Sequence, residues 1–236
     1  MEHITAIVLA AGKGNRMQSD IPKQYLDLLG KPVLYYSLQA FEDSSVDDII
    51  LVTGKEDVEY CRNEIIDKYR LSKVSNIVEG GSERYWSVKN GLLCAGDADY
   101  VLIHDAARPC VTRQMIEDSI EEVKRSVACT VGVPVKDTIK VVDADGYSMD
   151  TPVRSTLWQI QTPQSFRYAD LMDAYKKMEL QDATDITDDT MIMERFADQK
   201  TKVIMGDYCN LKITTPEDLD VAKIFLKKIK KVVDTN

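Results

Sequence analysis

The chain has 236 residues, 44% of them hydrophobic and 29% charged, with a formal net charge of −9 at pH 7. That length suits one α/β domain over residues 1–236, and the composition excludes the disordered and fibrous classes. The acidic balance argues against a nucleic-acid binder, which needs a broad basic footprint, and no apolar run approaches the roughly 20 residues that span a bilayer.

Met1-Glu2-His3-Ile4-Thr5 lacks the basic and apolar regions of a signal peptide, so the expected location is cytoplasmic. The five cysteines (Cys61, Cys94, Cys110, Cys129, Cys209) are odd in number and contain no C-x-x-C pair, which supports neither a disulfide framework nor a zinc site. With His3 and His104 as the two histidines, a Ser-His-Asp triad or a three-histidine metal site has almost no raw material.

Ile4 to Leu9 is an apolar run that reads as a buried strand, ending in the Gly-rich stretch Ala10-Ala11-Gly12-Lys13-Gly14. Pro32 opens a helix that brings Val33, Leu34, Leu38 and Phe41 to one face. Asp48 to Thr53 is a second strand, a helical stretch runs from Glu59 to Tyr69, and a short strand from Val74 to Val78 leads into Gly80-Gly81. A helix around Trp86 to Leu93, a strand Tyr100 to Ile103, a helix from about Arg113 to Val127 and a strand Thr130 to Pro134 follow. This alternation predicts an α/β fold with a mostly parallel sheet covered on both faces. Its ligand belongs outside the carboxyl ends of the strands, where the loops from Ala10, Gly80 and His104 gather.

The pattern changes over about 136–157. Thr138 to Val142 and a later extended stretch flank the turn signal Asp143-Ala144-Asp145-Gly146, which predicts a protruding β-arm. A lone two-stranded arm is marginally stable in water, so it is expected to pack on a second subunit. Thr215-Pro216-Glu217-Asp218 starts the last helix, with Thr215 as the expected N-cap.

A polyanionic ligand of so acidic a chain must meet clustered cations. In Ala10 to Met17 the glycines let backbone N–H groups approach a phosphate, and Arg16 and Lys23 add two cations nearby. The loop is neither familiar fingerprint: Gly14 stands where a P-loop needs Ser or Thr, and Met17 where a dinucleotide loop needs glycine. Asp105, at a strand's carboxyl end beside small residues, is a natural magnesium ligand for a bound triphosphate; the alternative is an Asp105–Arg108 pair that fixes the loop. Lys140, Arg154 and Lys212 each read singly as surface charges.

Together these segments resemble the 2-C-methyl-D-erythritol 4-phosphate cytidylyltransferase family over nearly the whole chain. The resemblance is carried by Leu9-Ala10-Ala11-Gly12-x-Gly14-x-Arg16-Met17, Pro22-Lys23-Gln24-Tyr25, His104-Asp105-Ala106-Ala107-Arg108-Pro109, Pro134-Val135-Lys136-Asp137-Thr138, Gln161-Thr162-Pro163-Gln164 and Asn210-Leu211-Lys212-Ile213-Thr214. It implies a Rossmann-like nucleotidyltransferase domain, CTP and a small sugar-alcohol phosphate as substrates, magnesium (Mg2+) as cofactor, and a homodimer joined by the arm. It further implies that Ala10, Ala11, Gly12 and Gly14 line the nucleotide and that Gly81, Ser82 and Ser87 recognise cytosine. By the same resemblance Arg16 and Lys23 hold the triphosphate, Lys212 the α-phosphate and Asp105 the metal. The resemblance also implies that Thr138, Arg154 and Thr162 contact the sugar-alcohol phosphate, with Thr138 and Arg154 reaching a neighbouring subunit's site. One departure is Tyr85-Trp86 before Ser87, where the family usually has smaller or polar residues.

Two rival readings exist. A ribitol-5-phosphate cytidylyltransferase shares scaffold and chemistry, but more often carries valine and phenylalanine where this chain has Ala107 and Cys110. A nucleotide-binding protein without the reaction would be expected to lack one of Arg16, Lys23, Asp105 or Lys212, and all four are present.

Overall fold

The computed structural model describes residues 2–12, 21–181 and 185–233. The first apolar run forms β1 (Ile4–Ala10). Its side chains alternate between two cores, with Ile4, Ala6 and Val8 on one face and Ile7 on the other. Burial on both faces is what a parallel strand under two helical layers requires. A hairpin of β2 (Asp27–Leu28) and β3 (Lys31–Pro32) follows, turning at Leu29 and Gly30, both at positive φ. Then come α1 (Val33–Glu42), β4 (Asp48–Thr53), and a single turn α2 (Val58–Tyr60) that runs on as a π-helix over Cys61–Asp67. β5 (Val74–Glu79), α3 (Arg84–Cys94), β6 (Tyr100–Asp105), α4 (Arg113–Ser126) and β7 (Ala128–Pro134) continue the alternation, close to the segments expected from sequence.

The arm carries β8 (Val141–Val142) and β9 (Ser148–Asp150), inside the range expected for it. Between it and Thr215 the apolar pattern is less regular, and the structure places four elements there: β10 (Trp158–Arg167), α5 (Tyr168–Glu179), α6 (Asp189–Ala197) and β11 (Lys202–Met205). The last helix is α7 (Pro216–Val233). At its start the Asp218 carboxylate accepts the Thr214 and Thr215 amides at 2.8 Å.

The main sheet has the order β11-β7-β10-β6-β1-β4-β5. Neighbours are parallel except β10, which runs antiparallel to both β6 and β7. The reversal has a simple cause. Trp158 of β10 pairs with Pro134 of β7, so the arm is the long loop of a hairpin, and a strand entering from the carboxyl end of β7 must run back.

From β1 the chain builds outward to β4 and β5, then returns through α3 to β6 on the other side of β1. That switch opens a crevice beyond Ala10 and Asp105, the carboxyl ends of β1 and β6. One apolar layer packs α1 and α4 on the sheet, and the other packs α3, α5 and α6. Leu34, Leu38, Leu102, Val101 and Phe166 are fully buried, each worth about 1.5–3 kcal/mol relative to exposure. These two layers fix the strand ends on which the crevice is built.

Candidate active site

Three loops meet at the crevice. Ala10 ends β1, and its carbonyl accepts a buried 2.6 Å hydrogen bond from Gln24 Nε2, which seats the Pro22-to-Tyr25 turn beneath Ala11 and Gly12. The second loop follows β5 and is pressed against the first. A Cβ on Gly80 would stand 2.3 Å from the Ala11 Cβ, so only glycine permits this approach. Ser87 fixes the same loop: its Oγ accepts the Gly81 amide at 3.0 Å and donates to the Glu83 carbonyl at 3.2 Å.

The third loop begins at Asp105, which is 8% exposed. Its Oδ1 accepts Arg84 Nε at 3.2 Å and its Oδ2 accepts Lys212 Nζ at 2.7 Å. Burial opposes ionisation, but Arg84 and Lys212 outweigh it and hold this carboxyl well below the usual range. Arg84 also donates from Nη1 to Asp189 Oδ2 at 2.7 Å. Asp189 is fully buried and accepts Tyr175 Oη on its other oxygen at 2.8 Å. Complete burial pushes the Asp189 carboxyl upward against the pull of Arg84. Lys23 reaches across to donate to the Ile213 carbonyl at 2.8 Å, tying its turn to the segment that carries Lys212.

Arg108 does not form the alternative loop pair with Asp105. Its guanidinium donates to the carbonyls of Asn210, at 2.8 Å, and Ile160, at 3.4 Å. Buried Asn210 donates in turn to the Thr162 carbonyl at 2.9 Å, so the Lys212 segment is stitched to β10.

Beneath Asp105 lies a closed polar chain. His104 is fully buried, with Nε2 3.2 Å from the Arg108 carbonyl and Nδ1 2.9 Å from Thr162 Oγ1. A carbonyl only accepts, so Nε2 carries the proton and the Thr162 hydroxyl donates to Nδ1. The same hydroxyl oxygen accepts the Asp105 amide at 3.1 Å. Burial lowers His104 to about 4 and keeps the ring neutral.

The loops enclose a cleft of about 770 Å³. Of the residues singled out from sequence, Ala10, Ala11 and Gly12 line it from β1, Gly81, Ser82 and Ser87 from the second loop, and Lys23, Asp105 and Lys212 from the charged side. Gly14 and Arg16 lie outside the described residues. Thr162 is buried behind Asp105, with its hydroxyl engaged inside the protein. Thr138 and Arg154 stand exposed on the arm, where Arg154 donates to the Lys136 carbonyl at 3.2 Å. Within one chain they do not join the cleft wall.

Sequence reasoning gave no role to Arg84, which also lines the cleft. The available signal was a cation three residues after Gly81, at the start of a helix. Its partner Asp189 stands 105 residues away, a pairing that no local pattern encodes. The cleft thus gathers Lys23, Arg84 and Lys212 against an acidic background, the arrangement a polyanion requires. Among the described residues no cluster of three or more His, Cys, Asp or Glu side chains could cage a metal. A single carboxylate lining the cleft instead fits an ion that arrives with phosphates and keeps several waters.

Residues 4–228 match the family described as 2-C-methyl-D-erythritol 4-phosphate cytidylyltransferase. The enzyme of that name from Lachnospira eligens is 54% identical over 225 residues, covering 94% of this chain and 99% of the relative. The one from Lachnoclostridium phytofermentans is 50% identical over 228 residues, covering 97% and 98%. Among solved structures, 4-diphosphocytidyl-2C-methyl-D-erythritol synthase from Anaerococcus prevotii superposes with a TM-score of 0.83 at 34% identity, covering 96% of each chain.

Proposed function

We propose a reading of the reaction, residue by residue, from one premise: the chain belongs to the 2-C-methyl-D-erythritol 4-phosphate cytidylyltransferase family. It is a nucleotidyltransferase that joins the CMP part of CTP to 2-C-methyl-D-erythritol 4-phosphate and releases pyrophosphate. The observation that carries the residue roles is the convergence of Lys23, Arg84 and Lys212 on one cleft at the carboxyl ends of β1 and β6.

A phosphate oxygen of the acceptor attacks the α-phosphorus of CTP in line. The new P–O bond forms as the bond to the pyrophosphate oxygen breaks. The nucleophile is already an anion, so no general base is needed, and the two histidines are occupied elsewhere. His104 is sealed in the interior, and His3 lies 3.2 Å from Asp48 at the opposite end of β1. Catalysis is then positioning and charge stabilisation.

Ala10, Ala11, Gly12 and Gly14 carry the nucleotide, and the Gly81-Ser82 loop, held by Ser87, receives the base. Lys23 and Arg16 hold the triphosphate. Lys212 trades Asp105 for the α-phosphate and offsets the charge that builds there. Asp105 would hold a magnesium ion, which when bound neutralises phosphate charge and acts as a Lewis acid.

The arm supplies the second half of the site in a homodimer, with Thr138 and Arg154 on the acceptor phosphate of the neighbouring cleft and Thr162 behind it. Its exposed apolar side chains support this: Tyr147 is 73% exposed, Met149 68% and Val153 67%. Among the described residues no helix is long and apolar enough to cross a membrane, in keeping with a cytoplasmic enzyme.

The test is pyrophosphate release from CTP and magnesium with methylerythritol 4-phosphate and ribitol 5-phosphate side by side. The expected preference for the first is tenfold or more, about 1.4 kcal/mol in transition-state binding. A preference for ribitol 5-phosphate would overturn the substrate and keep the chemistry. Tight CTP binding without turnover on either acceptor would overturn the enzyme reading itself.

A further inference from the structure

We propose that Asp189 is a positioning residue for the reaction, acting through Arg84 to hold the Asp105 carboxylate while Lys212 moves to the substrate. The inference rests on the reading of Asp105 and Lys212 above. Four charged groups stand in an unbroken row: Lys212 Nζ to Asp105 Oδ2 at 2.7 Å, Asp105 Oδ1 to Arg84 Nε at 3.2 Å, and Arg84 Nη1 to Asp189 Oδ2 at 2.7 Å. The row is neutral as it stands. When Lys212 turns toward a phosphate, Arg84 becomes the remaining side chain that holds Asp105.

Whether Arg84 can do that depends on its own anchoring. A guanidinium is a rigid planar fork, so fixing one edge fixes the direction of the other. Asp189 fixes that edge. Its side chain is 0% exposed and does not itself line the cleft, while Arg84 and Asp105 both do. Two further contacts and its place in the chain hold Asp189: Tyr175 Oη donates to Oδ1 at 2.8 Å, its own amide donates to Gln164 Oε1 at 3.0 Å, and it is the first residue of α6. Both carboxylate oxygens accept, and the helix start favours negative charge.

A purely structural ion pair would have no reason to include a third member at the lip of the cleft. Buried pairs are often replaceable by apolar side chains at little loss of stability. Here the interior carboxylate presents a cation in one orientation, with Nε toward Asp105. Without it, Arg84 is free to rotate both edges of its fork onto Asp105 or onto the entering phosphates.

A double-mutant cycle tests this, read both as kcat/KM for CTP and as CTP affinity by calorimetry with magnesium present. Asp189→Asn keeps the shape and removes the charge. The expected loss in kcat/KM is about tenfold in the native chain, the scale of a misplaced catalytic group. In an Asp105→Asn background the further loss is expected to fall below about twofold, because the two residues act as one unit. Equal losses in both backgrounds would mean that Asp189 serves stability alone and would overturn the proposal. If Asp105→Asn by itself leaves turnover and CTP affinity at the native level, the reading of Asp105 falls, and the positioning role with it. Should Asp189→Asn fail to fold, Tyr175→Phe removes one bond to the same carboxylate. It is expected to lower kcat/KM about threefold, again only where Asp105 is present, and an equal loss in both backgrounds would again overturn the role.

Discussion

The cleft and the arm leave the same end of the sheet, and they are built from opposite materials. In the cleft, the clustered charges are paired within the chain: Asp105 lies between two cations, Arg84 between two carboxylates, and Lys23 on a backbone carbonyl. On the arm, apolar side chains such as Tyr147 and Met149 face outward with nothing of their own chain to cover them. Desolvated polar groups demand partners within the molecule, because each unpaired one costs about 1–3 kcal/mol. Exposed apolar groups demand a partner from outside it. The contrast separates a site whose charges are paired within one chain from an apolar surface on which the proposed homodimer would rest.

The largest effect is expected on the cleft side of that comparison. Lys23→Ala should keep the fold and lose turnover by roughly 10²-fold, on the order of 3 kcal/mol. Circular dichroism beside pyrophosphate release checks it, and near-native turnover would remove Lys23 from the charge cluster.

The interior beneath the cleft should respond to acid. Burial lowers His104 from 6.5 to about 4 in the folded chain, so the unfolded state binds its proton first. The stability tied to neutral His104 is complete above the unfolded value and is lost as pH falls from 6.5 towards about 4. Linkage puts that loss at about 3 kcal/mol. Urea titrations across this window should show the fall, and His104→Gln should flatten it. An unchanged slope in the variant would assign the acid sensitivity to other groups.

The smallest effect on chain stability is expected from the arm. Tyr147→Asp combined with Met149→Asp should change the stability of the isolated chain by less than about 0.5 kcal/mol, as exposed substitutions usually do. The same variant should halve the solution mass measured by light scattering, keep CTP binding, and lose turnover with the sugar-alcohol phosphate. A native mass would break the contrast between the two regions, since the arm would then need no partner.

Much of the fold was legible because its code is local. The apolar runs of β1, β4 and β6 and the stripe Ile116, Ile120 and Val123 on α4 state their period within a few residues. The arm was legible from a turn signal between two extended stretches. β10 and its direction were not, because reversal follows from where the arm returns the chain, and Trp158 meets Pro134 only in three dimensions.

The candidate site divides the same way. Ala10 to Gly12, Lys23 and Asp105 stood out as glycines and charges in short segments, Lys212 stood out only through the family resemblance, and the structure brings them to one cleft. Thr162 entered as a substrate contact through the family resemblance alone, and only the structure shows its hydroxyl bonded to His104 and to the Asp105 amide. By itself, then, the sequence determined the alternation of strands and helices, the family, and the inventory of charges available for phosphate chemistry. Tertiary structure alone decided which charges meet. Asp105 took Arg84 and Lys212 rather than its neighbour Arg108, and Asp189 crossed 105 residues to reach Arg84. The reason is physical: a buried charge is satisfied by whichever partner the packed sheet brings within about 3 Å, and proximity along the chain has no say in that distance.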